Sequence, residues 1–163
     1  PEQKALYNVI LDAQLAAIDA VRVGNSYKEP HNVAVRILVQ GLVDLGIMQG
    51  DIEEIIQKES FRQFYMHGTG HWLGMDVHDV GSYRESHINQ PVDQEKPWRV
   101  LKKDMVLTIE PGLYIQPADD IPKVFWNIGI RIEDDAVVTD QGCELISRGV
   151  PVDPLEIEAI VRS

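Results

Sequence analysis

The spacing of apolar residues changes near residue 60, from a helical period to a period of two. Before that point, residues 1–23 have the pattern of an amphipathic helix that ends at Gly24. A second helix is predicted over Pro30–Leu45, and Asp51 is the predicted N-cap of a short third helix that ends near residue 59. We expect these three helices to cover a sheet and to carry no chemistry.

After residue 60 the alternation of apolar and polar residues predicts strands. These are Leu73–Val77 with His78 on the face opposite the apolar set, Met105–Glu110 ended by Pro111–Gly112, Leu113–Ile115, Ile128–Glu133, and a hairpin over 137–142. Residues 81–98 have the composition of a loop, and His87 within it is given no role. Asp153 is a predicted N-cap for a final helix that ends near residue 162. Helices first and strands later describe one α+β domain, with no repeat or linker dividing it.

The composition narrows the possible partners. A formal net charge of −11 argues against nucleic acid, whose phosphates attract a basic surface, and against an anionic membrane surface. The single cysteine, Cys143, permits no internal disulfide, fits a reducing compartment and is interpreted as structural. We find neither a membrane-spanning run nor a secretory signal, so we expect a cytoplasmic protein. Because the first residue is Pro1, we interpret the sequence as processed or as a piece of a longer protein.

Three of the five histidines lie within one segment, His67–Asp79, together with three glycines. Glycine lets the backbone approach a ligand closely, and clustered imidazoles suit a metal site or an acid–base site. A turn with solvated histidines is the simpler alternative, and for any single histidine it is the better one. The clustering favours a functional site. His31, in the second predicted helix, is predicted to lie on the surface.

Two glutamates stand where the strand pattern makes a carboxylate costly. Glu110 ends an apolar strand and has no basic partner along the chain, whereas Glu133 shares a strand face with Arg131. A salt bridge to Arg131 is the simpler explanation for Glu133. Histidine nitrogen with two carboxylates is a ligand set for Mn²⁺, Co²⁺, Fe²⁺ or Zn²⁺. The sequence contains no His-Glu-x-x-His motif, EF-hand loop, P-loop or dinucleotide fingerprint.

The segment His67–Asp79, followed by Thr108–Gly112 and Gly129–Asp134, resembles aminopeptidase P and prolidase, the proline-specific pita-bread metallopeptidases. The resemblance extends along essentially the whole chain and is strongest to the bacterial-type Xaa-Pro aminopeptidase. It implies half of a pita-bread fold, an α+β arrangement in which helices pack on a curved, mainly antiparallel sheet.

By position, the resemblance implies that His71, Glu110 and Glu133 are metal ligands, with Glu133 bridging two ions and Glu110 also acting as general base. It further implies that His67 and His78 contact the substrate and stabilise the tetrahedral intermediate.

The resemblance also assigns Tyr114 and Arg131 to the substrate pocket or to the support of the ligands. The implied reaction removes an N-terminal residue that precedes proline, so the partners are peptides with proline in the second position. The implied cofactors are two divalent metal ions in the intact enzyme, with Mn²⁺ expected. This chain alone is expected to bind none, or one weakly.

Two aspartate ligands of the family have no counterpart here, because the only aspartates before residue 44 are Asp12 and Asp19 in the first predicted helix. We interpret residues 1–163 as the C-terminal portion of a pita-bread peptidase domain whose N-terminal part, with those aspartates, is absent. We therefore expect no appreciable peptidase activity from this chain alone. We also expect a homo-oligomer, because the missing half would leave a sheet edge and an apolar face uncovered.

Two alternatives stay open. The first is prolidase, which cleaves dipeptides only, and the second is a binding module that keeps the pita-bread shell without chemistry. The presence of His71, Glu110 and Glu133 argues against the binding module.

Overall fold

In the computed structural model, which describes residues 1–85 and 95–163, two long helices pack against each other. They are α1 (Glu2–Asp19) and α2 (Glu29–Asp44), followed by the short helix α3 (Ile52–Gln57) and a 3₁₀ turn over Ser60–Gln63. Helix α4 (Pro154–Arg162) follows the strands. The four predicted helices are therefore present. His87 lies outside the described residues, as does the middle of the predicted loop around it.

Two of the helix starts are fixed by aspartate side chains, as the sequence predicts. The carboxylate of Asp51 accepts a hydrogen bond of 3.0 Å from the backbone N–H of Glu54. The carboxylate of Asp153 accepts hydrogen bonds from the N–H groups of Leu155 and Glu156 at 2.8 and 3.1 Å. Such caps satisfy backbone donors that have no partner inside the helix.

Within residues 1–85 and 95–163, five short strands form two antiparallel sheets. The strands are β1 (Val106–Ile109), β2 (Gly112–Ile115), β3 (Ile128–Arg131), β4 (Asp134–Thr139) and β5 (Gly142–Leu145). One sheet has the order β1-β4-β5, and the other consists of β2 and β3. The predicted hairpin is the β4–β5 pair.

The strands β1 and β2 run antiparallel to β3 and β4 and form a two-stranded ribbon with them. The pairing along this ribbon is interrupted at the same position on both strands. Two residues on each side separate the paired strands: Glu110–Pro111 between β1 and β2, and Ile132–Glu133 between β3 and β4. Proline has no N–H to give to a ladder, which accounts for the predicted break at Pro111. Both glutamates singled out in the sequence therefore leave their strands at the same break.

Apolar side chains from the helices and the strands meet in one core. The helix α1 contributes four residues that are at most 1% exposed, Leu6, Ile10, Ala13 and Ala17. The first two strands contribute four equally buried residues, Leu107, Ile109, Leu113 and Ile115. This arrangement is the predicted α+β class. Among the described residues, the helices are too short or too polar to cross a bilayer.

The strand predicted at Leu73–Val77 is wrong. Trp72, the residue before this segment, forms an isolated bridge to Leu107, and residues 74–78 form a bend. Met75 and Val77 are 100% and 71% exposed. The carboxylate of Asp79 accepts a hydrogen bond of 3.1 Å from the N–H of Met75, so local bonding replaces a ladder. His78 consequently lies on an exposed bend and not on a strand face.

Candidate metal centre and active site

Three side chains converge at the break in the strand pairing. His71, Glu110 and Glu133 each offer one ligand atom, and these atoms lie within 4.8 Å of one another. His71 Nε2 is 3.3 Å from Glu110 Oε1. Among residues 1–85 and 95–163, this is the group of histidine, cysteine and carboxylate side chains with a geometry suited to a metal ion.

The segment Phe64–Leu73 brings the histidines to this site. It runs antiparallel to β1 and β2 as an irregular edge, joined by backbone hydrogen bonds between residue pairs 114 and 64, 110 and 69, 108 and 71, and 73 and 106. The N–H of His71 also donates to Thr108 Oγ1 at 3.0 Å. His67 and His71 therefore project from one segment that is fixed along the two strands flanking Glu110.

Gly70 permits this close approach. A Cβ at Gly70 would lie 1.9 Å from the carbonyl oxygen of Thr108, which is backbone and has little freedom to move. At Gly68, two residues earlier, a Cβ would meet its nearest atom at 3.6 Å, an ordinary contact. The requirement for glycine in this segment is therefore strict at Gly70 and absent at Gly68.

The tautomer of His71 suits metal binding. Its Nδ1 is 2.9 Å from the carbonyl oxygen of Trp72, and because a carbonyl only accepts, Nδ1 carries the proton in this hydrogen bond. In the neutral ring, Nε2 then presents a lone pair towards Glu110. Two acceptors 3.3 Å apart attract a cation between them, and a backbone carbonyl that orients the ring is the usual support for a histidine ligand. The three residues fit a divalent ion.

The carboxylates are close enough to repel each other. Glu110 is 9% exposed, and one of its oxygens accepts a hydrogen bond of 3.1 Å from the hydroxyl of Thr108. Burial, followed by the charge of Glu110, raises the pKa of Glu133. Arg131 opposes this effect, with nitrogens 3.5 Å from Glu110 and 3.9 Å from Glu133. The predicted salt bridge between Arg131 and Glu133 is thus shared with Glu110.

A second group lies beside the first. His67 Nδ1 is 2.7 Å from the carbonyl oxygen of Gly68, and Nε2 is 2.8 Å from the hydroxyl of Tyr114. Because Nδ1 must donate to the carbonyl, Nε2 of the neutral ring accepts from the Tyr114 hydroxyl. The rings of Tyr65 and His67 pack nearly perpendicular to each other, with centroids 4.9 Å apart.

His78 joins the site through His71. The two rings lie side by side, with centroids 4.0 Å apart and planes inclined by 54°. His78 is exposed, and it is not part of the group of three ligand atoms. All seven residues predicted for the site therefore lie in contact with at least one other member of it.

The prediction that His31 is a surface residue is wrong. His31 is half-buried in the first turn of α2, and its Nδ1 is 2.9 Å from the hydroxyl of Thr69. Burial, followed by the positive charges of Lys28 and Arg62, lowers the pKa of His31 to about 4. The helical period of α2 indicated which face of the helix is apolar. It could not indicate that His31 bonds to Thr69, which lies 38 residues away in the sequence. Sequence reasoning also missed Thr69 and Thr108, whose only local cue is their position among the glycine and glutamate motifs.

A cavity of about 120 Å³ opens between α2 and the segment that carries His67. Its walls are mostly aromatic or apolar, and His31 and His67 both border it.

The chain matches the model of metallopeptidase family M24 over residues 1–140. It is 44% identical to the Xaa-Pro aminopeptidase of Haemophilus influenzae over 159 residues, which cover 98% of this chain and 35% of that protein. Its identity to the Xaa-Pro aminopeptidase of Escherichia coli is 43%, over 98% of this chain and 34% of that protein.

The structure superposes on aminopeptidase PepP of Pseudomonas aeruginosa with a TM-score of 0.91 and 47% identity, covering 99% of this chain and 35% of that one. The match to proline aminopeptidase P II of Yersinia pestis has a TM-score of 0.88 and 46% identity, covering 99% and 35%. The predicted resemblance and the pita-bread fold class are confirmed. The chain spans about a third of the length of these relatives. With its family model matched over most of its length, the chain belongs to metallopeptidase family M24.

Proposed function

We propose that this chain supplies one side of the active site of a metal-dependent Xaa-Pro aminopeptidase. His71, Glu110 and Glu133 would hold divalent ions, and His67, His78, Tyr114 and Arg131 would contact the substrate or support the ligands. The observation that carries the proposal is the convergence of the three ligand atoms within 4.8 Å at the break in the strand pairing. The names of the relatives favour an aminopeptidase over a dipeptidase.

A divalent ion at this position would act as a Lewis acid that activates a water molecule and polarises the scissile carbonyl. Glu110 would accept the proton of the attacking water on Oε2, because its nearly buried carboxylate lies beside the position proposed for the ion. The Thr108 hydroxyl fixes the other oxygen of Glu110. We propose two ions, with Mn²⁺ as the physiological metal, and Glu133 would help to hold both.

Tyr114 and His67 would stabilise the charge that develops on the carbonyl oxygen. In the neutral pair the Tyr114 hydroxyl donates to His67 Nε2, so its hydrogen is engaged. A proton on Nε2 would reverse this hydrogen bond and leave the phenolic hydrogen free to donate to an oxyanion. The proton taken up by Glu110 would then pass to the leaving imino nitrogen of proline, which has no N–H of its own in the peptide bond.

The remaining ligands are proposed to come from outside these 163 residues. Support comes from the share of the relatives that the chain covers, 35%, and from the three ligand residues found among the described ones. We propose that residues 1–163 are the C-terminal portion of the peptidase domain and lack activity alone. A cytoplasmic homo-oligomer without nucleic acid or membrane partners is the proposed physiological form, in keeping with the net charge of −11.

Hydrolysis by the intact protein, stripped of metal and resupplied with Mn²⁺, tests the proposal. We expect Mn²⁺-dependent cleavage of a tripeptide with proline in the second position, and no cleavage of the matched peptide with alanine there. A dipeptide ending in proline separates the two proline-specific activities, since a strict dipeptidase would cleave it and spare the tripeptide. Metal-independent cleavage, or cleavage without a preference for proline, would contradict the proposal.

A further inference from the structure

We propose that Tyr27, two residues before helix α2, and His31, in its first turn, are positioning residues for the loop His67–His71. They hold the side of this loop that faces away from the strands, and they thereby set the positions of the His67 and His71 imidazoles. The inference rests on the proposed function of those two histidines. Neither Tyr27 nor His31 belongs to the three-ligand group or to the His67–Tyr114 pair.

His31 acts through the side chain of Thr69, in the middle of the loop. Thr69 is 3% exposed, and its hydroxyl lies 2.9 Å from His31 Nδ1 and 2.6 Å from the hydroxyl of Tyr65. Tyr65 is 1% exposed and packs its ring against His67. A chain of three polar groups, two of them buried, therefore connects α2 to the ring that packs against His67.

The directions of these hydrogen bonds follow if His31 is neutral and carries its proton on Nε2. Burial raises the pKa of Tyr65, so its hydroxyl keeps its proton and can donate to Thr69. The Thr69 hydroxyl then donates its own hydrogen to the lone pair on His31 Nδ1. Tyr65 then donates, Thr69 accepts from Tyr65 and donates to His31, and His31 accepts, an arrangement in which neighbouring hydrogen bonds reinforce each other.

Tyr27 acts on the backbone of the same loop. Its hydroxyl donates a hydrogen bond of 2.6 Å to the carbonyl oxygen of Gly70, the residue before His71. Its ring packs against both Trp72 and Tyr83, with centroid distances of 4.7 and 4.9 Å. Because the ring is fixed by packing, the position of the hydroxyl is defined before the hydrogen bond forms.

The opposite side of the loop is attached to β1 and to Glu110, the residue after it. The N–H of Glu110 donates to the carbonyl oxygen of Thr69 at 2.7 Å, and the N–H of His71 donates to Thr108 Oγ1 at 3.0 Å. The loop is therefore clamped between β1 and the start of α2. A shift of Thr69 or Gly70 would be transmitted directly to Glu110 and His71, two of the three proposed ligands.

Single hydroxyl deletions in the intact protein test this inference. Tyr27→Phe removes the bond to Gly70 and keeps the ring. Its matched control is Tyr7→Phe, which removes a bond of 2.8 Å from a tyrosine hydroxyl to the carbonyl oxygen of Val152, remote in sequence from the site. His31→Leu removes the bond to Thr69, and His31→Gln restores a polar group that can bond to it.

The readouts are Mn²⁺ affinity, kcat/KM for a peptide with proline in the second position, and the ring resonances of selectively labelled histidines in the metal-free protein. We expect Tyr27→Phe and His31→Leu to weaken Mn²⁺ affinity about tenfold, as for other groups that support metal ligands, and to shift the His67 and His71 resonances. Tyr7→Phe and His31→Gln should leave the affinity within about twofold. Equal affinities and unshifted resonances in all four variants would overturn the inference.

The resonances separate this inference from the proposed function. If the unmodified protein neither binds Mn²⁺ nor cleaves the peptide, the proposed function fails. The positioning role then stands if the His67 and His71 resonances move in Tyr27→Phe and not in Tyr7→Phe, and it falls if they move in neither.

Discussion

The hydroxyl of Tyr114 lies 2.8 Å from Nε2 of His67, although 47 positions separate the two residues in the sequence. Tyr114 is on β2 and His67 is on the irregular edge beside it, so the bond depends on the tertiary structure alone. It defines the group that we propose as the donor to the oxyanion.

Replacing Tyr114 with phenylalanine should remove that donor without altering the fold. We expect Tyr114→Phe in the intact protein to lower kcat for a Xaa-Pro peptide about 100-fold, the loss found when one oxyanion donor is deleted. KM should change little, because the donor acts mainly in the transition state. Steady-state kinetics beside Tyr7→Phe provide the measurement and its control. A tenfold rise in KM with kcat unchanged would assign Tyr114 to substrate binding instead.

Replacing Glu133 with glutamine should weaken metal binding. The change removes a carboxylate charge and keeps its shape, so we expect the Mn²⁺ affinity of the intact protein to fall by more than about 100-fold, the upper end of what even supporting groups contribute. Isothermal titration of the metal-free protein measures the affinity. The exposed Glu144 on β5 offers the control, Glu144→Gln, which should bind as the unmodified protein does. Unchanged affinity in Glu133→Gln would exclude this residue as a ligand.

Adding a methyl group at Gly70 should destabilise the protein. The new Cβ would lie 1.9 Å from the carbonyl oxygen of Thr108, so the loop or β1 must move. We expect Gly70→Ala to lower the free energy of unfolding by about 1–3 kcal/mol, the usual range for overpacking. Gly68→Ala, in the same loop, should change it by less than about 0.5 kcal/mol, because its nearest contact is ordinary. Chemical denaturation of the two variants measures the difference. Equal free energies of unfolding would show that the loop can move to accommodate a Cβ at Gly70.

The stability of the protein should depend on the protonation of His31. Its pKa of about 4 in the folded state is below the value near 6.5 of an unfolded histidine, since burial and the neighbouring charges of Lys28, Arg62 and His67 outweigh that of Glu59. Between these two values the unfolded chain binds more protons. The contribution of neutral His31 to the free energy of unfolding is therefore complete above about pH 6.5 and is lost as the pH falls towards 4.

The variant His31→Gln isolates this contribution from those of the carboxylates. Between pH 7 and pH 4, we expect the unmodified protein to lose up to about 3 kcal/mol more of its free energy of unfolding than the variant loses. Denaturant titrations of both proteins across this range provide the measurement. Parallel pH profiles would show that His31 keeps an ordinary pKa.

Local sequence patterns predicted the helices well, because helix caps and helical periodicity depend on residues that are close together in the sequence. Asp51 and Asp153 cap the helices that they were predicted to start, and Pro111 breaks the pairing where its missing N–H requires a break. The segment Leu73–Val77 shows the limit of the same reasoning. Its alternation matches a strand, but the Asp79 side chain supplies a competing hydrogen bond to Met75.

The site itself was predicted only as far as its motifs extend. His71, Glu110 and Glu133 could be grouped by resemblance, and the structure brings their ligand atoms together. Tyr27 and His31 carry no motif, and their contacts with Gly70 and Thr69 span 43 and 38 positions. Hydrophobic periodicity reports which face of a helix is buried, but it does not identify the polar group that the face will meet.

The break in strand pairing also limits how this chain can change in length. The break contains two residues on each strand, Glu110–Pro111 and Ile132–Glu133. Because the two numbers are equal, the strands pair in the same register on both sides of the break. Inserting a single residue into one side only would turn one glutamate to the opposite face of the ribbon, because side chains alternate along a strand. Viable homologues should therefore vary in length elsewhere, and any change here should be compensated by an equal change on the facing strand.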